Sequence, residues 1–233
     1  MKIFLTFFIS ICIYTIGLSK SLVGSWQWEG VGKNGQKIQA VAIYSETHVV
    51  TTWYDMTGVF KWTEGGNWRL SDNTLSIAFE FHSQDNSMVG KEVTFDIEFD
   101  ENQFQLKNDL TTWKRTDDGT PGDLAGAWLI TGRMRNGQIS ERKPGPRKTM
   151  KILSGTRFQW IAYNTETKSF SGTGGGTYTT AEGKYTENIE FFSKDPNRVG
   201  ASLEFNYKLL DGKWNHSGKS SKGNDIYEIW SLR

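Results

Sequence analysis

The chain has 233 residues, of which 36% are hydrophobic and 14% aromatic, and its formal net charge is +1. A balance this close to neutral excludes the strong basic field that draws proteins to nucleic acid or acidic membranes, so we expect no nucleic-acid partner. The single cysteine, Cys12, lies in the amino-terminal apolar run. Residues 20–233 are therefore without disulfide or thiolate chemistry.

Residues 1–19 have the pattern of a secretory signal peptide. Lys2 precedes an apolar run over residues 3–18, which ends in the small-residue pattern Gly17-Leu18-Ser19. A membrane-spanning helix needs about 20 apolar residues, and this run is shorter and contains hydroxyl side chains. We therefore expect cleavage near Ser19, a secreted or periplasmic bacterial location, and no integral membrane segment afterwards.

Short β-rich runs separated by turns follow in residues 20–116. The clearest is 93–99, where Val93, Phe95, Ile97 and Phe99 alternate with polar residues, which predicts a strand with one buried and one wet face. The other runs are residues 22–28, 38–44, 48–54, 59–62, 67–70, 75–81, 104–106 and 110–115. No later window has a sustained helical period, so helices should be few and short.

Residues 117–123 are rich in Gly, Pro and Asp and have no apolar anchor, which predicts a linker. A second unit, residues 124–233, repeats the scheme of the first. Its β-rich runs are residues 124–132, 148–153, 157–163, 169–178, 185–192, 201–209, 213–216 and 226–232.

The two units are copies of each other. Residues 79–90, FEFHSQDNSMVG, return 110 positions later as residues 189–200, IEFFSKDPNRVG. At the same offset Trp68 corresponds to Tyr178, and at an offset of 107 Trp53 corresponds to Trp160. About eight antiparallel strands per unit, joined mostly by short turns, favour an up-and-down barrel over a sandwich.

Both units begin with Leu-x-Gly-x-Trp, which ends at Trp26 and at Trp128, and both have a Trp and an Arg on the last strand. This pattern resembles the calycins, in particular lipocalin-like domains of uncharacterised secreted bacterial proteins. The resemblance implies an all-β chain of two tandem antiparallel barrels, each with one closed end. It also implies that Trp26 meets Arg115 and Trp128 meets Arg233 at the closed ends, as cation–π pairs.

Ligand-binding candidates are strand aromatics and two polar residues that the duplication singles out. They are Trp53, Trp68, His82, Trp160, Tyr178 and Glu190. A small eight-stranded barrel is either filled by its side chains or holds one small ligand. We expect a non-enzymatic protein that binds a small apolar or amphipathic molecule, with no metal and no cofactor, because no metal-ligand spacing or nucleophile motif occurs.

Glu80 and Glu190 occupy equivalent positions, and two interpretations stay open. If Phe79 and Phe81 face the barrel interior, both carboxylates point to water. If Glu190 instead points into a cavity, an isomerase or lyase type of enzyme that uses Glu190 with Tyr163 or Tyr178 is the alternative.

A third hypothesis is a module that binds a glycan or a protein on an exposed aromatic face, with the duplication supplying avidity. A separate prediction concerns a basic loop. Arg142, Lys143, Arg147 and Lys148 surround two prolines in a basic loop of the second unit. Such a loop predicts an anion clamp for an acidic glycan or a lipid head group, and its binding should weaken with salt.

Overall fold

A computed structural model describes residues 21–32, 34–108, 111–220 and 223–233. The predicted signal peptide, with Cys12, lies outside these residues. Within them the chain consists of antiparallel strands and turns, and the helical segments are two three-residue 3-10 turns, Asn86–Met88 and Pro196–Arg198. The predicted all-β fold is therefore confirmed. None of the described residues forms a helix long and apolar enough to cross a membrane.

The first eight strands form a closed barrel in which sequential neighbours pair and β1 closes the ring against β8. We call it barrel 1. Its strands are β1 (Gly24–Val31), β2 (Lys37–Tyr44), β3 (His48–Asp55), β4 (Phe60–Ser71), β5 (Thr74–His82), β6 (Glu92–Phe99), β7 (Gln103–Leu106) and β8 (Thr112–Asp117).

The remaining strands repeat this order and close through a pairing of the first with the last, β9 with β17. We call this barrel 2. Its strands are β9 (Gly126–Arg135), β10 (Gln138–Glu141), β11 (Arg147–Leu153), β12 (Arg157–Asn164), β13 (Ser169–Ala181), β14 (Lys184–Phe192), β15 (Ser202–Leu210), β16 (Lys213–Lys219) and β17 (Asp225–Leu232). Strand β10 continues the hairpin from β9 and stands outside the ring of eight.

The two barrels pack side by side through the outer faces of their strands. In β3, Val49 and Trp53 belong to the core inside barrel 1, whereas Val50 and Tyr54 belong to a second cluster shared with barrel 2. Alternate residues of a strand point to opposite faces, so β3 is apolar on both. The shared cluster, which we call the interface cluster, contains Val41, Ile43, Val50, Tyr54, Phe81, Ala127, Met150, Ile152, Ile161, Tyr163 and Phe191.

Glu80 is the extra residue of a β-bulge. Phe79 pairs with Gly66 and Phe81 with Gly65, so the ladder shifts by one residue at Glu80. Phe79 then packs inside barrel 1 and Phe81 in the interface cluster. The interpretation in which both rings face the interior is wrong, because a bulge interrupts the period-2 alternation on which it depended.

The same bulge recurs at Glu190 of β14, and a glycine opposite makes each one sterically allowed. Ile189 pairs with Gly176 and Phe191 with Gly175. A Cβ on Gly176 would lie 2.0 Å from the carbonyl oxygen of Asn188, and a Cβ on Gly66 would lie 2.0 Å from that of Ala78. Only glycine fits these positions, which explains why the Gly-Gly pair occurs in both copies.

The segment between the barrels starts within β8, which ends at Asp117. The Asp117 carboxylate accepts hydrogen bonds from Ser25 of barrel 1 (2.7 Å) and from Ser154 (2.8 Å) and Thr156 (2.6 Å) of barrel 2. Burial would raise the pKa of Asp117, but these hydrogen bonds outweigh it and lower the pKa. The domain boundaries around residues 117–123 stay a prediction.

Candidate functional site

Barrel 1 contains a partly enclosed cavity of about 100 Å³. Most of its wall is aromatic or aliphatic, with three polar side chains among the lining residues. The lining residues are Ala42, Tyr44, Thr51, Trp53, Glu64, Leu75, Ile77, Phe95, Phe104, Leu106 and Trp113. Apolar walls with few polar groups are typical of small-molecule sites, although most such sites are larger.

The aromatic wall is held together by ring contacts. Trp53 stacks on Trp62 with centroids 4.4 Å apart and meets the edge of Trp113 at 6.5 Å. Trp113 in turn stacks on Phe104 at 5.5 Å. The buried indole N–H of Trp113 has no hydrogen-bond partner among the described residues. Because this N–H is buried, it does not open onto the cavity, and the polar groups of the wall are those of Tyr44, Thr51 and Glu64.

Glu64 provides the charged group of the cavity wall. Its carboxylate lies 2.8 Å from Nε2 of His82, and this hydrogen bond raises the pKa of His82 above its ordinary value. Burial, followed by the charge of Glu64, raises the pKa of Tyr44, which keeps the phenol protonated at neutral pH. Of the predicted ligand residues, Trp53 therefore lies in the cavity wall, and His82 contacts the wall through Glu64.

Trp68 was predicted to bind the ligand, but its contacts are with other residues of barrel 1. Its indole N–H donates to the carbonyl of Ser45 at 2.8 Å, and its ring meets the edge of Tyr44 at 5.2 Å. Trp68 packs against the core of barrel 1 and is not among the cavity-lining residues.

The interior of barrel 2 holds a buried ion pair where barrel 1 has aliphatic residues. Lys151 Nζ lies 2.6 Å from the Glu187 carboxylate, and both residues are at most 5% exposed. The strand ladders align Lys151 with Ala42 and Glu187 with Ile77. The Lys151 ammonium lies within 6 Å of four ring centroids, those of Tyr185, Phe205, Trp214 and Trp230.

Trp160 and Tyr178 belong to the wall of barrel 2. Trp160 meets the edge of Phe192 at 5.5 Å, and the Tyr178 hydroxyl donates to the carbonyl of Ser154 at 2.6 Å. The ladders pair Trp160 with Gly174 and Thr51 with Glu64, which makes Thr51 the counterpart of Trp160. The predicted equivalence of Trp53 with Trp160 is therefore wrong. The loops that join β3 to β4 and β12 to β13 differ in length, so the sequence offset found at the bulges does not hold at the Trp residues.

Glu190 points to the interface between the barrels, where its side chain is 32% exposed. Its carboxylate accepts from the Tyr54 hydroxyl at 2.8 Å and from Arg157 at 2.7 Å. Tyr163 donates instead to Glu80, and Tyr178 lies inside barrel 2. The alternative catalytic set of Glu190 with Tyr163 or Tyr178 is thus not brought together.

Glu80 mirrors Glu190 across the interface. It accepts two hydrogen bonds from Arg233, at 2.7 and 2.8 Å, and one from Tyr163, and it lies 4.0 Å from His48. Burial opposes ionisation of Glu80, but the Arg233 contacts outweigh it and lower its pKa to about 2. Burial also lowers the pKa of His48 to about 4. The network is therefore ionised at Glu80 and neutral at His48 near pH 7.

The arginines on the last strands of the two barrels make different contacts. Arg115 lies over the Trp26 ring at 4.0 Å and donates to the carbonyls of Val23 and Ser21, each at 2.7 Å. Arg233 does not make the expected contact with Trp128, because Glu80 of barrel 1 holds its guanidinium. Arg233 follows Trp230 by three residues, whereas Arg115 follows Trp113 by two. The extra residue places the Arg233 side chain on the outer face of barrel 2.

A larger groove of about 770 Å³ lies beside Val23 and Arg115 of barrel 1. Polar and acidic residues dominate its lining, among them Asp100, Glu101, Asp117 and Asp118. Asp117 is already engaged by hydroxyl and backbone donors, and no group of three potential metal ligands occurs among the described residues. We regard the smaller of these two cavities as the candidate site because its wall is mostly apolar with a few polar groups, as in small-molecule sites.

Sequence reasoning missed Glu64, Trp113, Lys151 and Glu187. For Lys151 a signal existed, since a lysine between Met150 and Ile152 on a strand with two apolar faces has no wet side to occupy. For Trp113 no local signal existed, because its unpaired N–H depends on side chains from distant strands.

Two closed antiparallel barrels in one duplicated chain, each with an aromatic interior, define a tandem lipocalin-like protein. Residues 123–231 match a family described as a domain of unknown function, DUF4488, which gives no activity for barrel 2. A solved lipocalin-like protein from Bacteroides uniformis is similar over 48% of this chain and 100% of its own, with 15% identity and a TM-score of 0.35. No curated protein matches.

Proposed function

We propose that this protein is a non-enzymatic binder of a small apolar or amphipathic molecule, and that barrel 1 is the barrel that binds it. The supporting observation is the cavity lined by Trp53 and Trp113, whose wall is mostly apolar with a few polar groups. Barrel 2 has a charged, aromatic-packed interior at the equivalent place.

The size of the cavity limits the ligand. An apolar cavity of about 150 Å³ accommodates benzene, and the cavity in barrel 1 is about 100 Å³. The buried part of the ligand is therefore smaller than a whole benzene ring, such as one edge of a ring or a chain of a few carbons, and the rest of the ligand lies outside the cavity. A polar group on the buried part would face the hydroxyl groups of Tyr44 and Thr51, which belong to the cavity wall.

Calorimetric titration with phenol, p-cresol and hexanoate tests this proposal, with a neutral oligosaccharide as the negative control. Ala42 lines the cavity and is 1% exposed, so Ala42→Leu places three additional carbons in it. The matched control is Ala78→Leu, which makes the same change on the outward face of β5. We expect binding to the wild type and to the control variant, and a loss of at least about tenfold in affinity for Ala42→Leu.

Absence of binding by every probe, or binding that Ala42→Leu leaves intact, would remove barrel 1 from the proposal. Quenching of Trp fluorescence by hexanoate gives a second readout, because Trp53, Trp62 and Trp113 lie at or beside the cavity. Loss of that quenching in Trp53→Phe, with retained folding by circular dichroism, assigns it to barrel 1.

We also propose that the protein is exported. Support comes from the amino-terminal sequence alone, where Lys2 is followed by a 16-residue apolar run and a small-residue cleavage pattern. Expression of the full chain in a bacterial host, with cell fractionation and amino-terminal sequencing, tests this. A chain retained in the cytoplasm with Met1 in place would refute it.

A further inference from the structure

The interior of barrel 2 is built around an ammonium group. The Lys151 Nζ atom lies between 4.9 and 5.7 Å from four ring centroids, those of Tyr185, Phe205, Trp214 and Trp230. Its counter-charge is the Glu187 carboxylate, at 2.6 Å. Ring faces and a carboxylate stabilise a cation that is withdrawn from water. Barrel 2 therefore contains an ammonium site, and the ammonium in it belongs to the chain itself.

The cavity of barrel 1 lies where barrel 2 holds this ammonium. The ladders align Ala42 with Lys151, and Ala42 lines the cavity. They also align each of the four residues whose rings surround Lys151 with a residue of the cavity wall. Tyr185 corresponds to Leu75, Phe205 to Phe95, Trp214 to Phe104 and Trp230 to Trp113. Alanine has none of the chain that carries a lysine ammonium, so the same walls enclose a cavity in barrel 1.

Barrel 1 keeps most of the aromatic surface of that site. Three of the four positions are aromatic in both barrels, and two of them make a matching contact. Phe104 and Trp113 have ring centroids 5.5 Å apart, and Trp214 and Trp230 have theirs 5.8 Å apart. Such ring faces attract a cation but also suit a neutral apolar group. The charge of the wall therefore decides between the two.

The charge of the cavity wall favours a cation. Glu64 is the charged residue of the wall, and none of the eleven described lining residues is Lys, Arg or His. The ladders align Glu64 with Gly174 of barrel 2, so this carboxylate is particular to barrel 1. His82 lies 2.8 Å from its Oε2 atom, and Oε1 has no ion-pair partner among the described residues. A cationic group in the cavity would meet this carboxylate, whereas an anionic group would be repelled by it.

The oxygen atoms of the wall match the donors of a primary ammonium. Ala42 pairs with Thr51 and Thr51 pairs with Glu64, so the three lie in one row across β2, β3 and β4. A primary ammonium has three N–H donors. The hydroxyls of Tyr44 and Thr51 and the Glu64 carboxylate provide the same number of acceptor groups. A quaternary ammonium has no donor for them and is less well matched.

We propose that the cavity of barrel 1 binds the ammonium end of a small primary alkylamine, in the place that barrel 2 fills with Lys151. The proposal rests on the binding function proposed for barrel 1 and names the chemical class of its ligand. Such a ligand is amphipathic, since a charged amine is joined to a short aliphatic chain. The ammonium contacts Glu64 and the ring faces, and the remainder of the ligand lies outside the cavity.

Calorimetric titration of the protein at pH 7 with n-butylammonium, 1-butanol and butyrate tests the proposal, because these probes have chains of similar length and differ in charge. We expect n-butylammonium to bind at least about tenfold more tightly than either of the others. Equal affinity for 1-butanol or butyrate overturns the proposal, as does absence of n-butylammonium binding. If phenol still binds, the function proposed for barrel 1 stands without the amine; if no probe binds, both fail.

Glu64→Gln removes the charge of the wall and keeps the size of the side chain. It should lower the affinity for n-butylammonium by at least about tenfold and leave the affinity for phenol unchanged. The matched control is Glu98→Gln, which removes a carboxylate of β6 that is 70% exposed and should bind as the wild type does. Circular dichroism monitors folding. Unchanged n-butylammonium affinity in Glu64→Gln, or an equal loss for phenol, overturns the assigned role of the Glu64 charge.

Ala42→Lys places a tethered ammonium at the position of Lys151. We expect this variant to lose binding of n-butylammonium. Adding Glu64→Gln should also lower its urea midpoint more than Glu64→Gln lowers that of the wild type, because the new ammonium then loses its counter-charge. Equal shifts in the two backgrounds would contradict the pairing of an ammonium with Glu64 in this cavity.

Discussion

Glu80→Gln removes the charge at the centre of the contact between the two barrels. Glu80 is 16% exposed at its side chain and Arg233 12%, so the pair is largely withdrawn from water. Gln keeps the size and the hydrogen-bonding oxygen of the side chain. The change therefore isolates the charge from the packing around it.

The pKa of Glu80 gives the magnitude of the effect. It lies at about 2, against an ordinary value of 4.5, which corresponds to about 3 kcal/mol of unfolding free energy. The variant also leaves the Arg233 charge uncompensated at the interface, which acts in the same direction. We expect Glu80→Gln to lower the free energy of unfolding at pH 7 by about 3 kcal/mol.

The pH dependence has a definite sign. A lowered carboxyl pKa contributes stability that is fully present above about pH 4.5 and is lost as pH falls towards about 2. The contribution from Glu80 should therefore decline below pH 4.5, and the gap between wild type and Glu80→Gln should narrow there. Arg233, Tyr163 and His48 are the ionisable groups that face Glu80, and of these His48 titrates in the acid range.

Urea unfolding followed by Trp fluorescence at pH 7, 5 and 3.5 measures these differences. Glu190→Gln is the matched control, since Glu190 is the counterpart of Glu80, is 32% exposed and has one arginine partner. We expect it to cost about 1 kcal/mol. Equal stability of Glu80→Gln and wild type at pH 7, or a gap that is constant down to pH 3.5, would refute the assigned role of the Glu80 charge.

Three other changes test the buried polar groups by urea unfolding. Lys151→Met leaves the Glu187 charge buried without its partner and should lower the free energy of unfolding by about 3–5 kcal/mol. Adding Glu187→Ile should restore most of this loss. A double variant no more stable than the single one would contradict the ion-pair account. Gln159→Leu leaves three threonine hydroxyls without their shared partner and should cost about 2–3 kcal/mol, and a cost below about 0.5 kcal/mol argues against that network. The pKa of His48 is lowered, so the unfolding free energy of the wild type should fall between about pH 6.5 and pH 4, as the unfolded state takes up the proton. His48→Gln should reduce this fall, and an unchanged pH dependence in the variant would contradict the buried, neutral state of His48.

The strands and the barrel closure could be predicted from the sequence because they depend on local patterns. The alternation from Val93 to Phe99 lies within β6, Glu92–Phe99, and the run 75–81 lies within β5, Thr74–His82. Short turns then favour pairing between neighbours, and eight such strands close. Each step needs information from only a few adjacent residues.

The environment of Glu80 and Glu190 could not be predicted in this way. It depends on a bulge, which adds one residue to a strand and exchanges the faces beyond it. The Gly-Gly pairs that end at Gly66 and Gly176 accompany the bulge in the sequence. They lie in β4 and β13, however, whereas the bulges lie in the neighbouring strands β5 and β14. The contacts of Glu190 with Tyr54 involve residues 136 positions apart and require the packing of two complete barrels.

The candidate site was predicted only in part, because one of its residues follows from a local strand pattern and the cavity itself does not. Trp53 lies in the wall of the barrel 1 cavity because an aromatic residue at an inward position of a strand has few other places to go. Its supposed counterpart, Trp160, occupies a different inward position, since sequence offset does not equal ladder register after a loop changes length. A cavity is what remains after eleven side chains from several strands have packed, and no pattern within one strand reports it.

The two copies have kept matched chemistry where they meet and have diverged where they do not. Tyr54 and Tyr163 lie at equivalent ladder positions, and each donates to the bulge glutamate of the other barrel. A substitution in one of these groups would leave its partner in the interface without a hydrogen bond, so the outward faces of the two barrels constrain each other. Inward positions have no such partner across the interface, which is how Ala42 beside a cavity in one barrel corresponds to Lys151 in an ion pair in the other. The packing that joins the barrels therefore leaves each interior free to differ, and the cavity in barrel 1 and the buried ion pair in barrel 2 are two results of that freedom.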